Sequence, residues 1–335
     1  VRVLVTGGAG FIGSALCRHL IGDLGHEARV LDSLTYAASL AALAPVADSP
    51  LYGLDQVDIQ DAAAVQAVFE AFRPDAVVHL AAETHVDRSI AGARGFVDTN
   101  VVGTFTLLEA SRAYLAAGDR TLRDRFRFLH VSTDEVFGAL GPEGRFCETS
   151  AYDPSSPYAA TKAASDHLVR AWGRTHGLPV MVSNGSNTYG PHQFPEKLIP
   201  VVIVAAMEGR AIPVYGEGAQ VRDWLFVDDH ARALAAILTS GAPGQTYAIG
   251  ARAERRNIDV VRQICAIMDR LRPTGAPHER LIAFVADRPG HDARYAIDPA
   301  KIERELDWRP REAFDTGLEK TVAWYLGGVP RRAAP

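Results

Sequence analysis

The chain has 335 residues, 47% of them hydrophobic and 22% charged, ordinary values for a globular protein of one large or two moderate domains. Its net charge of -5 leaves no basic footprint for nucleic acid, and no apolar run approaches the ~20 residues of a membrane span. Three widely separated cysteines (Cys17, Cys147, Cys265) lack metal-ligand spacing and no charged leader precedes the first strand, so a reduced, cytoplasmic, metal-free protein is expected.

Residues 1–6 (VRVLVT) read as a short buried strand, followed by Gly7-Gly8-Ala9-Gly10-Phe11-Ile12-Gly13 and a helix over 14–21. Glycines at this spacing permit a tight turn, close approach of backbone to a pyrophosphate and tight helix–strand packing. A second strand, 28–31, ends in Asp32, whose carboxylate is placed to bond a ribose 2′-hydroxyl and to repel a 2′-phosphate. NAD is therefore expected over NADP. Asp58 and Ile59 end a third apolar stretch and are candidates for contact with the adenine. A helix over 62–72 and a strand over 76–80 follow, then small residues at 81–82, and a helix over 100–117. Strands and helices alternating at this spacing predict a doubly wound parallel sheet of the Rossmann type.

Residues 126–131 (FRFLHV) form the next predicted strand, and Thr133, Asp134 and Glu135 follow at its carboxyl end, where open α/β sheets bind ligands. Adjacent carboxylates disfavour joint ionisation, which raises one pKa and yields a proton donor beside a proton acceptor. Tyr158 and Lys162 then open a helix over 158–176, four residues apart on one face. The lysine ammonium is expected to lower the phenol's pKa, so that the phenolate takes a proton from a sugar hydroxyl. Lys162 is one of only four lysines against 31 arginines.

A strand over 180–183 leads to proline- and glycine-rich residues, and the change of domain is placed near Ser186, with Asn187 to Pro191 turning out of the strand. Farther on, Lys197, Arg222, Arg288 and His291 could together bind a diphosphate and sugar hydroxyls. Asn257, ahead of a helix over 258–271, has the position of an N-cap. Residues 331–335 are expected to be loose.

Taken together, VTGGAGFIGS, LDSLTYA, LAAETHVDRSI, STDEVFG, SPYAATKAASDH, NTYGPHQFPEKLIP, RDWLFVDDHARAL and DRPGHDARYAID resemble the dTDP-glucose 4,6-dehydratase family of the extended short-chain dehydrogenase/reductases, nearly end to end. The resemblance implies an NAD-binding domain over 1–185, rejoined by about 221–248, and a smaller α/β nucleotide-sugar domain over 186–335. It implies Gly7, Gly10, Phe11, Ile12, Gly13, Asp32, Leu34, Thr35, Asp58, Ile59, Leu80, Ala82, Thr99, Tyr158, Lys162 and Asn187 around NAD. Around dTDP-glucose it implies Thr84, Thr133, Asn187, Lys197, Leu198, Pro213, Tyr215, Arg222, Asn257, Arg288 and His291. Tyr158, aided by Thr133 and Lys162, would serve C4 oxidation, and Asp134 and Glu135 would serve as acid and base in loss of water. A homodimer through the helices 100–117 and 158–176 is also implied.

Phe137, Thr188 and the run Ser183-Asn184-Gly185-Ser186 depart from the residues usual in that family. Alternatives are the same reaction on UDP-glucose, a nucleotide-sugar 4-epimerase or decarboxylase, which the acid pair disfavours, and a silent NAD-binding regulator.

Overall fold

Alternation along each strand explains the layers. Val3 and Val5 of β1 (Arg2–Thr6) join one buried cluster while Leu4 between them joins another, because successive side chains leave a strand on opposite faces. The computed structural model describes residues 1–328, so the expectation for 331–335 lies outside it. After β1 come α1 (Phe11–Arg18), β2 (Glu27–Asp32), β3 (Tyr52–Gln56), α2 (Ala62–Phe72), β4 (Ala76–His79), α3 (Val86–Ala91), α4 (Arg94–Phe96) and α5 (Thr104–Ala117). Next are α6 (Arg120–Arg125), β5 (Arg127–Thr133), α7 (Pro157–His176) and β6 (Val180–Gly185). The remainder runs β7 (Asn187–Tyr189), α8 (Leu198–Glu208), β8 (Ile212–Tyr215), β9 (Val221–Phe226), α9 (Val227–Ser240), β10 (Thr246–Ile249), β11 (Glu254–Arg256), α10 (Asn257–Leu271), β12 (Ile282–Val285), α11 (Ala300–Leu306) and α12 (Phe314–Leu326).

The large sheet has seven strands in the order β10-β6-β5-β4-β1-β2-β3, all parallel. Leu16 and Leu20 with Leu234 and Leu238 of α9 cover one face, and Val65 and Phe69 of α2, Leu107 and Leu108 of α5 and Val169 of α7 cover the other. This is the doubly wound α/β architecture that the sequence predicts. Strand order reverses at β1, so the crevice between the carboxyl ends of β1 and β4 is the natural ligand site. A second cluster holds the carboxyl-terminal part together, with Val202 and Ile203 of α8, Val261 and Ile264 of α10 and Leu318 and Val322 of α12 around Trp224 and Phe226.

Several boundaries differ from the sequence-based expectation. The first helix starts at Phe11, inside the glycine motif, and gives way to a π-helical turn over His19–Asp23. The helix expected at 100 begins earlier, with π-helical Val97–Gly103. Strand β5 runs on to Thr133, paired as far as Gly185 of β6. Asn187–Tyr189 is a strand and not a turn: it pairs with β9, and Tyr189 is buried against Trp224, Phe226 and Phe314. The chain returns to the large sheet through α9, packed on α1, and β10, paired with β6. Strand β9, inside the return expected at about 221–248, belongs instead to a three-stranded sheet, β11-β9-β7. Among the described residues no helix is long and apolar enough to cross a membrane, and the cysteines are free.

Candidate active site

One cavity of about 790 Å³ runs from the glycine loop, past the end of β5, to the carboxyl-terminal part. Of the residues expected around the two ligands, all but Leu34 line it. Leu34 has a left-handed backbone (φ +56°), gives its N–H to Asp32 at 2.8 Å and turns its side chain to the core.

The glycine loop leaves no room for a side chain. A Cβ on Gly7 (φ +68°) would stand 2.6 Å from Ala81 N, and one on Gly13 would stand 2.2 Å from Gly7 O. Gly10 caps α1 without a side-chain bond, so the first N–H groups of the helix face the cavity as an anion site. Asp32 accepts from Ala9 N at 3.0 Å and Leu34 N at 2.8 Å, bonds that oppose the upward push of burial on its carboxyl. A glycine cradle, a helix N-terminus and a carboxylate at the end of the neighbouring strand fit a dinucleotide with a free ribose 2′-hydroxyl. Thr35, Asp58, Ile59, Leu80, Ala82 and Thr99 complete that wall.

At the end of β5 the chain enters a tight 3₁₀ turn, Asp134–Phe137, which brings both acids to the cavity. Thr133 Oγ1 donates to Asp134 Oδ1 at 3.2 Å, and its oxygen accepts from Glu135 N at 3.3 Å as the turn's cap. Asp134 Oδ2 is buried without a protein partner. Burial and the charge of Glu135 push the Asp134 carboxyl well above the usual range. Burial also raises Glu135, but Lys197, Arg288 and Arg222 oppose it. The two neighbours are thereby made unequal.

Helix α7 begins with Ser156 accepting from Ala159 N and Pro157 in its first turn, a strong start signal. It places Tyr158 and Lys162 against β5, both buried. Lys162 Nζ donates to Val131 O at 2.9 Å, and burial lowers its pKa to about 8. The phenol of Tyr158 is pushed up by burial and by Glu135 and Asp134, while a hydrogen bond with Thr133 pulls the other way. Lys162 stands one turn further along the same face of α7 as Tyr158 and keeps its ammonium charge while it holds the Val131 carbonyl.

On the sugar side, Lys197 Nζ donates to Thr84 O at 2.7 Å and Tyr215 Oη to Asp87 Oδ2 at 3.0 Å. Arg222 donates to Asp292 O at 2.9 Å and lies over the Tyr295 ring, and His291 contacts Asp287 at 2.6 Å. Leu198 and Pro213 line the same end. Asn257 is not an N-cap: Arg256 holds that position, and the Asn257 side-chain oxygen, like that of Asn187, is buried without a protein partner. The sequence reading missed Trp224, Gln193 and His230, which also line the cavity. Trp224 sits in an apolar run that reads only as core, although its unpartnered buried Nε1 marks it in three dimensions. Among the described residues no group of three or more His, Cys, Asp or Glu is set to hold a metal.

A family profile for GDP-mannose 4,6 dehydratase matches residues 4–321. The chain is 58% identical to dTDP-glucose 4,6-dehydratase of Neisseria gonorrhoeae, over 99% of this chain and 97% of that one. It is 54% identical to dTDP-glucose 4,6-dehydratase 1 of Escherichia coli K12, over 98% and 94%. Its fold superposes on DesIV, the dTDP-glucose 4,6-dehydratase of Streptomyces venezuelae solved with NAD and TYD bound, with TM-score 0.89, 44% identity and 98% of each chain covered. Likeness of this extent joins the glycine cradle and the acid pair in a single lineage, and the chain belongs to the dTDP-glucose 4,6-dehydratase family.

Proposed function

We propose that this chain converts dTDP-glucose to dTDP-4-keto-6-deoxyglucose, with loss of water across C5 and C6. The observation that carries the reading is the pair Asp134–Glu135, made unequal by its surroundings, in one cavity with Tyr158. NAD, when bound, supplies the hydride acceptor for C4 and the hydride that returns to C6. The chain's own groups then have to move three protons. Tyr158 Oη, as the phenolate that the Lys162 ammonium on the same helix face and the nicotinamide ring, when bound, would favour, takes the C4 hydroxyl proton. Oxidation at C4 makes the C5 proton acidic, and Glu135 is the base for it, its ionised form favoured by Lys197, Arg288 and Arg222. Asp134, whose burial beside Glu135 favours the protonated form, gives its proton to the departing C6 hydroxyl, so one water leaves. Glu135 afterwards restores a proton to C5.

Lys197, Arg222 and Arg288 supply positive charge for the diphosphate. Thr84, Leu198, Pro213, Tyr215, Asn257 and His291 line the same cavity and would enclose the rest of the nucleotide-sugar. The large sheet is read as the NAD domain and the carboxyl-terminal cluster as the nucleotide-sugar domain. A cytoplasmic homodimer through α5 and α7 is part of the same proposal. Exposed Ile90, Val97, Val102 and Phe105, with Phe105 edge-on to Trp172 of α7, support that face.

The test is incubation of the purified protein with dTDP-glucose, UDP-glucose, GDP-mannose and UDP-glucuronate, followed by mass spectrometry. The proposal expects loss of one water from dTDP-glucose. Reaction of UDP-glucose alone would overturn the nucleotide assignment, and no change in any of the four would overturn the enzymatic reading.

A further inference from the structure

Next to the catalytic residues lies a second polar cluster that does not line the cavity. Its centre is Asp166 of α7, wholly buried. A buried carboxylate is costly unless it is hydrogen-bonded or paired, so its partners matter. Tyr152 Oη donates to Asp166 Oδ2 at 2.7 Å and Asn184 Nδ2 donates to the same oxygen at 3.3 Å. His130 Nε2 lies 3.1 Å from Oδ1. Asn184 Nδ2 also donates to Thr133 O at 3.1 Å, which ties the cluster to the end of β5. Tyr158, Lys162 and Asp166 are successive i, i+4 neighbours on one face of α7.

We propose that Asp166 is a positioning residue of the dehydration: through Asn184 it fixes the strand end carrying Thr133, Asp134 and Glu135, and it is the counter-charge of the buried Lys162 ammonium. The inference rests on the catalytic reading above. Lys162 thus anchors Val131 O and Asn184 anchors Thr133 O, two carbonyls on one strand, and Asp166 stands behind both anchors.

The surrounding charges support it. Burial brings Lys162 down to about 8, opposed by Asp166. Burial would raise Asp166, but His130, the charge of Lys162 and the Tyr152 hydroxyl outweigh it and hold the carboxyl below its usual value. His130 of β5, lowered to about 4, and His79 of β4, lowered well below its usual range by burial, are neutral, and Arg170 of α7 is turned to Tyr152 Oη at 2.7 Å. None of these replaces the negative charge of Asp166.

With only four lysines, the chain labelled at lysine Cε resolves Lys162 by NMR. The wild type is expected to titrate at about 8. Asp166→Asn should lower that midpoint by about one pH unit or more. The alkaline limb of C4 oxidation, followed in a single turnover with dTDP-glucose, should move with it. A purely structural role would lower the rate alike at every pH, and an unmoved midpoint overturns the proposal. Asn184→Ala keeps the charge of Asp166 but loses the tie to Thr133. It should cut kcat by about 10-fold at constant KM with the Lys162 midpoint unmoved; unchanged kcat overturns the positioning role, also where Asp166→Asn does not fold. A wild type inert toward dTDP-glucose whose Lys162 midpoint still depends on Asp166 would remove the catalytic reading and leave the charge pairing standing.

Discussion

Asp134 and Glu135 are consecutive in the chain and both raised by burial, yet Lys197, Arg288 and Arg222 oppose the rise at Glu135, while at Asp134 the largest charge effect is that of Glu135 itself, against Arg222 alone. The difference supports the proposed roles. A carboxyl raised well above the usual range suits a donor, and one compensated by three cations suits an acceptor.

Asp134→Asn therefore separates the steps. The variant should oxidise C4 at close to the normal rate but lose water about 10²-fold more slowly, since the proton for the leaving hydroxyl is gone. Stopped-flow absorbance should show reduced nicotinamide accumulating, where the wild type shows little. Full turnover without accumulation would assign the acid elsewhere.

The same residue sets a pH dependence. Because the Asp134 carboxyl is raised, its protonated form persists above the ordinary carboxylate range. The elimination rate should fall on the alkaline side as pH rises through the raised value of Asp134, and on the acid side as Glu135, also raised by burial, becomes protonated. A rate that falls below the ordinary carboxylate range, and not above it, would contradict the assignment.

Tyr158→Phe removes the proposed proton acceptor for the first step. Reduced nicotinamide formation in a single turnover should drop by about 10² to 10⁴-fold, with NAD content unchanged. Retention of the normal rate would remove the residue from the chemistry.

Gly13→Ala puts a Cβ 2.2 Å from Gly7 O, a contact with backbone that no rotamer change relieves. The cradle should open, and the purified variant should carry little NAD by chromatography of the denatured protein, with a lower Tm. Full NAD content would show that the loop is not the pyrophosphate site.

Phe105→Glu places a charge on the exposed apolar face of α5. Sedimentation is expected to show a dimer for the wild type and a monomer for the variant. A monomeric wild type, or a variant that remains dimeric, would contradict the proposed interface.

Much of this was legible in the sequence. A buried strand, a glycine turn and an acid at the next strand's end declare a Rossmann half, because each is a local requirement of the same ligand geometry. The strand end at Thr133-Asp134-Glu135 and the pair Tyr158–Lys162 were equally plain. What the sequence hid was long-range. Asn187–Tyr189 looks like a turn until Trp224 and Phe314 arrive from distant segments to bury Tyr189. Asp166 reads as one more helical surface acid, and only the convergence of Tyr152, Asn184 and His130 makes it a buried one. Helical spacing likewise gave Lys162 as the neighbour of Tyr158, but not the Val131 carbonyl that holds it.

The most direct measurement is the reaction with dTDP-glucose in deuterium oxide, read by mass spectrometry and NMR of the product. The account predicts loss of one water and one solvent deuterium at C5, placed there by Glu135, with the hydrogen from C4 recovered at C6. A product lacking deuterium at C5, or one that has kept its C6 oxygen, would contradict it.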